Sequence, residues 1–209
     1  MAKRESSFGN MVVTLFVVTL ISAGALGFVN DLTKEAIAEA KLKAKISAIK
    51  SVLPEFEEIK GEYKVEPQPG QDSLEIYPAY SGDKLVGFAI KTFTNKGFSG
   101  YISIMAGIGV DGNFTGFEVL EHAETPGLGS KMSAWFRNEE KPNQNVIGKN
   151  PRSTKFQVSK DGGEIDAITA STITSRAFLD ALNRAYDTYE NNNKAFSGAE
   201  GNELTKVEE

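Results

Sequence analysis

Residues 74–121 read LEIYPAYSGDKLVGFAIKTFTNKGFSGYISIMAGIGVDGNFTGFEVLE, and they decide the fold. Four runs, Leu74 to Tyr80, Lys84 to Thr94, Ile102 to Val110 and Phe114 to Glu121, are apolar or alternate apolar with polar residues, as strands lying on a core do. Between them stand Ser81-Gly82-Asp83, Lys96-Gly97-Phe98 and Asp111-Gly112-Asn113, segments that suit tight turns. Antiparallel hairpins are the natural connection, and Asp111-Gly112 is the strongest turn signal.

Downstream, the alternation stops at His122 and a loop with Pro126, Gly127 and Gly129 begins. A short helix is expected over Met132 to Asn138, a strand over Ser153 to Ser159 and a turn at Asp161-Gly162-Gly163. Ile165 to Thr169 then leads into a helix from about Ile173 to Tyr189, whose Ala177, Phe178, Ala181, Leu182, Ala185 and Tyr189 recur at helical spacing and should face the core. Sheet followed by helix gives an α+β class. The tail, residues 191–209, has Asn, Gly and Glu without apolar periodicity and reads as disordered.

Upstream, Gly61 to Gln71 is rich in Pro, Gly and charge and reads as a surface loop. Asp31 to Leu53 carries Ile37, Ala40, Ala44 and Ala48 among charged residues and ends at Pro54, so residues 31–60 are expected to hold a helical stalk or first domain helix. Before it, Met11 to Val29 reads MVVTLFVVTLISAGALGFV, close to the ~20 apolar residues that cross a bilayer. Lys3 and Arg4 precede the run, which places residues 1–30 as a cytoplasmic stub and anchor and the remainder on the extracytoplasmic side of the cytoplasmic (inner) membrane. The alternative is a cleaved signal peptide, for which Ser22-Ala23-Gly24-Ala25 offers small residues.

Composition narrows the chemistry. The 209 residues are 40% hydrophobic and 24% charged, which fits a globular domain with one anchor. A net charge of −5 gives no basic excess for a phosphate backbone, so nucleic acid is not an expected partner. The absence of cysteine excludes iron–sulfur clusters, thiolate metal sites and catalytic thiols. With His122 as the single histidine, neither a His-rich metal site nor a Ser-His-Asp triad is expected. Redox chemistry here would come from a bound organic cofactor or a different kind of metal site.

Two segments stand out. Asp166 to Ser175, DAITASTITS, places several hydroxyls and one carboxylate at the mouth of a helix. Ser and Thr there cap free first-turn amides. The same amides and the helix dipole also favour an anion such as phosphate. Both readings stand on the residues alone. The second segment, His122 to Lys131, HAETPGLGSK, is at least a Pro-Gly turn.

The first segment resembles the flavinylation motif of the FMN-binding domain family that includes the G-type subunit of the Rnf electron-transport complex and the C-type subunit of the sodium-pumping NADH:quinone reductase. That pattern is Asp, two residues, Ser or Thr, Gly, a small residue, then the acceptor Thr, and its acceptor falls on Thr172. The resemblance implies FMN covalently linked by a phosphoester to Thr172, installed by a flavin transferase, with Asp166 and Thr169 in the recognition sequence. Ala170 stands where glycine is usual and Ser171 where alanine is usual. If that position needs a positive φ, alanine is strained in it. Thr174 is a rival acceptor whose distance from Asp166 does not match.

The loop His122-Ala-Glu124-Thr125-Pro126-Gly127-Leu128-Gly129 is similar to the corresponding loop of the G-type Rnf subunit. This similarity implies that Glu124, Thr125, Gly127 and Leu128 lie near the isoalloxazine ring, with Lys131 as a further candidate. Residues 61–190 would then form an FMN-binding domain. The implied activity is electron transfer within an ion-translocating ferredoxin:NAD oxidoreductase, with other membrane subunits as partners and no catalytic residue of its own. The alternatives are an FMN-binding domain of another extracytoplasmic reductase and a membrane-anchored binding module without flavin.

Overall fold

The structure is a computed structural model that describes residues 7–67 and 72–196. The stub through residue 6, part of the expected loop and the tail beyond residue 196 lie outside the described residues. Two compact units are present, one ending at Ala44 and one beginning at Lys45. Helix α1, Phe8–Val52, supplies the first unit and reaches into the second. It is, among the described residues, one helix long and apolar enough to cross a membrane, and its apolar stretch is exposed throughout.

The second unit is built on an antiparallel sheet in which β1 (Glu58–Ile59), β3 (Leu74–Ser81), β4 (Lys84–Gly97), β5 (Gly100–Gly109) and β6 (Phe114–His122) are neighbours in that order. The three hairpins expected between 74 and 121 are all present. Strand β2, Tyr63–Val65, also pairs with β3, so the expected loop over Gly61 to Gln71 contains a short strand. Tyr63 and Val65 pack against the core beneath them, a long-range contact that overrides the turn-like composition around them.

Successive residues point to opposite sheet faces, and each face is covered by a helix. On one face Ile76, Phe88, Ile90, Ile102, Ile104 and Ile108 meet Ala177, Phe178, Ala181, Leu182 and Ala185 of α3, Thr172–Phe196. Thr92 Oγ1 donates to Ala181 O at 2.9 Å, and Arg184 Nη1 donates to Phe93 O at 2.7 Å, fixing α3 along β4. On the other face Tyr77, Ala79, Ala89 and Met105 receive Ala48, Ile49 and Val52, the end of α1. A Cβ on Gly107 would collide with the Val52 carbonyl, so close approach there requires glycine.

Two further expectations are corrected. No strand forms over Ser153 to Ser159: Thr154 N bonds to Asn150 O at 2.9 Å and Gln157 N to Lys155 O at 2.7 Å, so local turns take the amides a ladder would need. Only an isolated bridge joins Val158 to Ile165, and a 3₁₀ turn follows at Ser159–Asp161. The final helix continues past Tyr189 to Phe196, replacing disorder by helix over 191–196. The Phe196 ring stands edge-on to Tyr63 and Phe88, at 4.9 and 5.5 Å between centroids, and Asn191 Nδ2 donates to Pro67 O at 2.7 Å. These partners are remote in sequence and invisible to periodicity.

Candidate functional site

Both motif segments converge at the amino end of α3. The short helix α2, Met132–Trp135, is preceded by a 3₁₀ turn, Gly129–Lys131, where the Pro-Gly loop closes. In that loop Thr125 O accepts from Leu128 N at 3.1 Å, and Gly127, at φ 78°, donates its amide to Ser130 Oγ at 2.9 Å. The turn exposes Leu128 and buries Gly129.

The approach to α3 is held by one side chain. Ser175 Oγ accepts from Ile168 N and donates to Ser171 O, both at 2.9 Å, while Ser175 N also bonds to Ser171 O at 3.0 Å. The chain reverses at Ala170, the one non-glycine residue with positive φ among the described residues, at 61°. This is the left-handed region that Cβ disfavours, so the glycine-type conformation anticipated from the sequence is present with alanine in it. Ser171 N bonds to Ile168 O at 2.9 Å, and Thr172 is the first residue of the helix.

The Thr172 hydroxyl is half-buried and has no hydrogen-bond partner among the described residues. The amides of Thr172, Ile173 and Thr174 find no acceptor among them either, as expected for a helix's first turn. Ser175 therefore organises the approach to the helix and caps none of its first-turn amides. Among the described residues no Ser or Thr hydroxyl, Thr172 included, caps them.

These groups open on a cavity of about 320 Å³ lined by Phe98, Glu124, Thr125, Leu128, Gly129 and residues 170–174. Its volume lies within the ~300–1,000 Å³ range of small-molecule sites. Phe98, Leu128 and Ile173 supply apolar surface, exposed at 67%, 41% and 49%. A larger hollow of about 530 Å³ at the end of α1 is lined by Lys50, Leu53, Pro54, Glu55, Phe56, Glu57 and Ser81, none of them from either motif.

Thr172, Ala170, Ser171, Glu124, Thr125 and Leu128 thus meet around one cavity, and Asp166, Thr169, Gly127 and Lys131 do not line it. Asp166 Oδ1 accepts from Ser159 Oγ at 2.7 Å, its amide bonds to Asn143 O at 2.7 Å, and its carbonyl accepts from Trp135 Nε1 at 2.8 Å. It fixes the path into the turn. Thr169 and Lys131 are exposed. Glu124 is 95% buried, with Oε1 accepting from Ser99 N at 3.0 Å and Oε2 from Thr174 Oγ1 at 2.6 Å. His122 Nδ1 accepts from Glu124 N at 3.2 Å, a structural use of the single histidine. Thr174, the rival acceptor, is buried and committed to Glu124.

Sequence reasoning did not assign Phe98 and Ile173 to the site. The signal for Phe98 was a large apolar side chain in a glycine-bounded hairpin turn, where no core can receive it. Ile173 sits beside Thr172 off the buried stripe of α3 and was readable from the same periodicity that identified the core.

A family model for the FMN-binding domain matches residues 97–187, which include every lining residue. The chain is 33% identical over 193 residues to the G-type subunit of the Na(+)-translocating ferredoxin:NAD(+) oxidoreductase complex of Acetobacterium woodii, an alignment covering 86% of this chain and 90% of that one. It is 36% identical over 184 residues to the G-type subunit of the ion-translocating oxidoreductase complex of Erwinia tasmaniensis, covering 82% and 85%. The equivalent protein of that name from Shewanella amazonensis is 29% identical over 172 residues, covering 79% and 80%.

Proposed function

The chain belongs to the family of G-type subunits of ion-translocating oxidoreductase complexes, and from that premise we propose that it is a membrane-anchored electron carrier holding FMN through a phosphoester to Thr172. The observation that carries the proposal is Thr172, lining the cavity with a hydroxyl unpaired among the described residues, together with three first-turn amides that have no acceptor there. Those amides and the helix dipole suit a phosphate group without requiring a basic side chain. Phe98, Leu128 and Ile173 suit the flat, largely apolar ring at the other end of the same ligand.

Bound FMN would supply the capacity to take and give electrons singly or in pairs. This chain's residues would orient and retain it. Attachment by a flavin transferase uses FAD: the Thr172 oxygen forms a bond to the FMN-side phosphorus, the bond to the bridging oxygen breaks, AMP leaves with the electron pair, and the hydroxyl proton passes to a base of the transferase. A tether of this kind keeps the carrier loaded on the extracytoplasmic face, where the Lys3 and Arg4 bias would place the domain. The electrons then pass between other membrane subunits of an Rnf-type complex coupling ferredoxin:NAD oxidoreduction to ion transport.

Co-expression with a flavin transferase, denaturation and in-gel fluorescence test the assignment. The parent band should fluoresce and Thr172→Ala should be dark. A dark parent, or equal fluorescence in the variant, overturns it.

A further inference from the structure

Glu124 is a buried carboxylate between three segments that do not adjoin in sequence. One oxygen accepts the Ser99 amide of the β4–β5 turn, and the other accepts the Thr174 hydroxyl of the first turn of α3. Space for it is made by two glycines: a Cβ on Gly97 would stand 2.7 Å from Oε1, and one on Gly129 would stand 2.5 Å from Oε2 and 2.7 Å from Thr174 Oγ1. Any side chain at either position would push the carboxylate out of place. Thr174 is in turn buried and two residues from Thr172.

A helix's first turn is where it frays, because its amides lack partners within the helix. Here that turn carries the proposed acceptor. Ser175 secures the chain before it, and the bond from Thr174 to Glu124 secures the turn itself to the loop that follows β6. We propose that Glu124 and Thr174 are a positioning pair that holds the first turn of α3, and so the Thr172 hydroxyl, in the orientation needed for transfer of the flavin phosphate. The inference rests on Thr172 as acceptor and gives Glu124 a role through Thr174, distinct from contact with the flavin. The bond joins a hydroxyl to a carboxylate away from water, the setting in which hydrogen bonds constrain geometry most. Misplacing an attacking atom by an ångström is enough to slow a group transfer by one to two orders of magnitude.

The test uses the full chain, purified without flavin, with a purified flavin transferase and FAD, well below the melting temperature of every variant. Thr174→Val removes the hydroxyl at nearly constant shape and should lower kcat for attachment about tenfold while leaving KM for the carrier protein unchanged. Thr174→Ser should restore the parent rate. Glu124→Ala should be as slow as the Glu124→Ala/Thr174→Val double variant, because the two residues act as one unit. Hydrogen exchange without flavin gives an independent reading: Thr174→Val should speed exchange at the bonded amides of Ser175 and Ser99, and Thr174→Ser should not. Attachment to Thr174→Val at the parent rate, a Thr174→Ser as slow as valine, or unchanged exchange overturns the pair while leaving Thr172 as acceptor intact. A parent chain that takes no flavin overturns both.

Discussion

At the carboxyl end of α1 the Val52 carbonyl accepts from Thr115 Oγ1 at 2.6 Å, and Gly107 and Gly116 leave room for the backbone to settle on the sheet. At the amino end of α3 three amides and the Thr172 hydroxyl have no acceptor or partner among the described residues, Ala170 is held at a φ of 61°, and Phe98, Leu128 and Ile173 are exposed. The first helix end is bound through its last carbonyl to a side chain of the domain's own sheet. The second keeps donors, apolar surface and backbone strain in reserve. Interactions completed within the fold stabilise it, whereas groups left unsatisfied at a cavity are what a ligand completes. The polar residues differ in the same way. Beside α1, Lys45 joins Glu62 at 3.0 Å and Glu75 at 3.1 Å, Lys91 joins Glu75 at 2.9 Å, and Tyr77 donates to Glu75 at 2.5 Å. Around α3 the hydroxyls are divided between holding the turn and facing the cavity.

If the α1 end is the structural one, damage there should fall on stability and leave flavin attachment to the surviving folded protein unchanged. The largest effect is expected from Gly107→Ala, whose methyl meets the Val52 backbone. Backbone cannot rotate aside, so the loss should be at least about 3 kcal/mol, lowering the melting temperature by on the order of 10 °C. Thermal unfolding measures it, and a shift under about 2 °C would show that this junction is not the rigid one.

Acid should act on the same end. Burial opposes ionisation of Glu75, but hydrogen bonds from Tyr77, Lys91 and Lys45 outweigh it and hold the carboxyl near about 2, below its ordinary 4.5. The folded pKa is depressed, so its contribution is complete above about pH 4.5 and is lost as pH falls toward about 2. With allowance for screening by solvent, up to about 2 kcal/mol should disappear over that window in the parent. Glu75→Gln should be less stable than the parent at pH 7 and converge on it near pH 2. Denaturant unfolding at several pH values checks the sign, and a constant difference between the two proteins would mean that the network does not bear on stability.

The same contrast explains what the sequence revealed. Strand runs and turn residues are local, and the four runs from Leu74 to Glu121 correspond to β3–β6 within a few residues. The core face of α3, from Ala177 to Tyr189, was equally legible because one periodicity determines it. What escaped depends on partners far along the chain. Strand β2 exists because Tyr63 and Val65 reach the core, and residues 191–196 are helical because Phe196 finds Tyr63 and Phe88. Thr172, Glu124 and Leu128, drawn from two motifs far apart in the chain, line one cavity. No local pattern could tell that Glu124 spends both carboxylate oxygens on Ser99 and Thr174, or that Asp166 bonds to Ser159 away from the cavity.

The smallest effect tests the α3 end, where strain rather than contact is at issue. Ala170 occupies the left-handed region at some cost, since a Cβ there crowds the following carbonyl by about 1–2 kcal/mol. Ala170→Gly removes that crowding but gives the unfolded chain more freedom, a compensation of about 0.5–1 kcal/mol. The net should be a gain of about 0.5–1 kcal/mol, with the hydrogen bonds of Ser171 and Ser175 unchanged. Ala170→Val should reverse the sign, because a β-branched residue tolerates positive φ least. Unfolding of both variants, followed without flavin, separates backbone strain from any gain that a ligand brings. If glycine destabilises the protein, the turn is not strained by its Cβ, and the reserve at this helix end would lie in the free amides and the Thr172 hydroxyl alone.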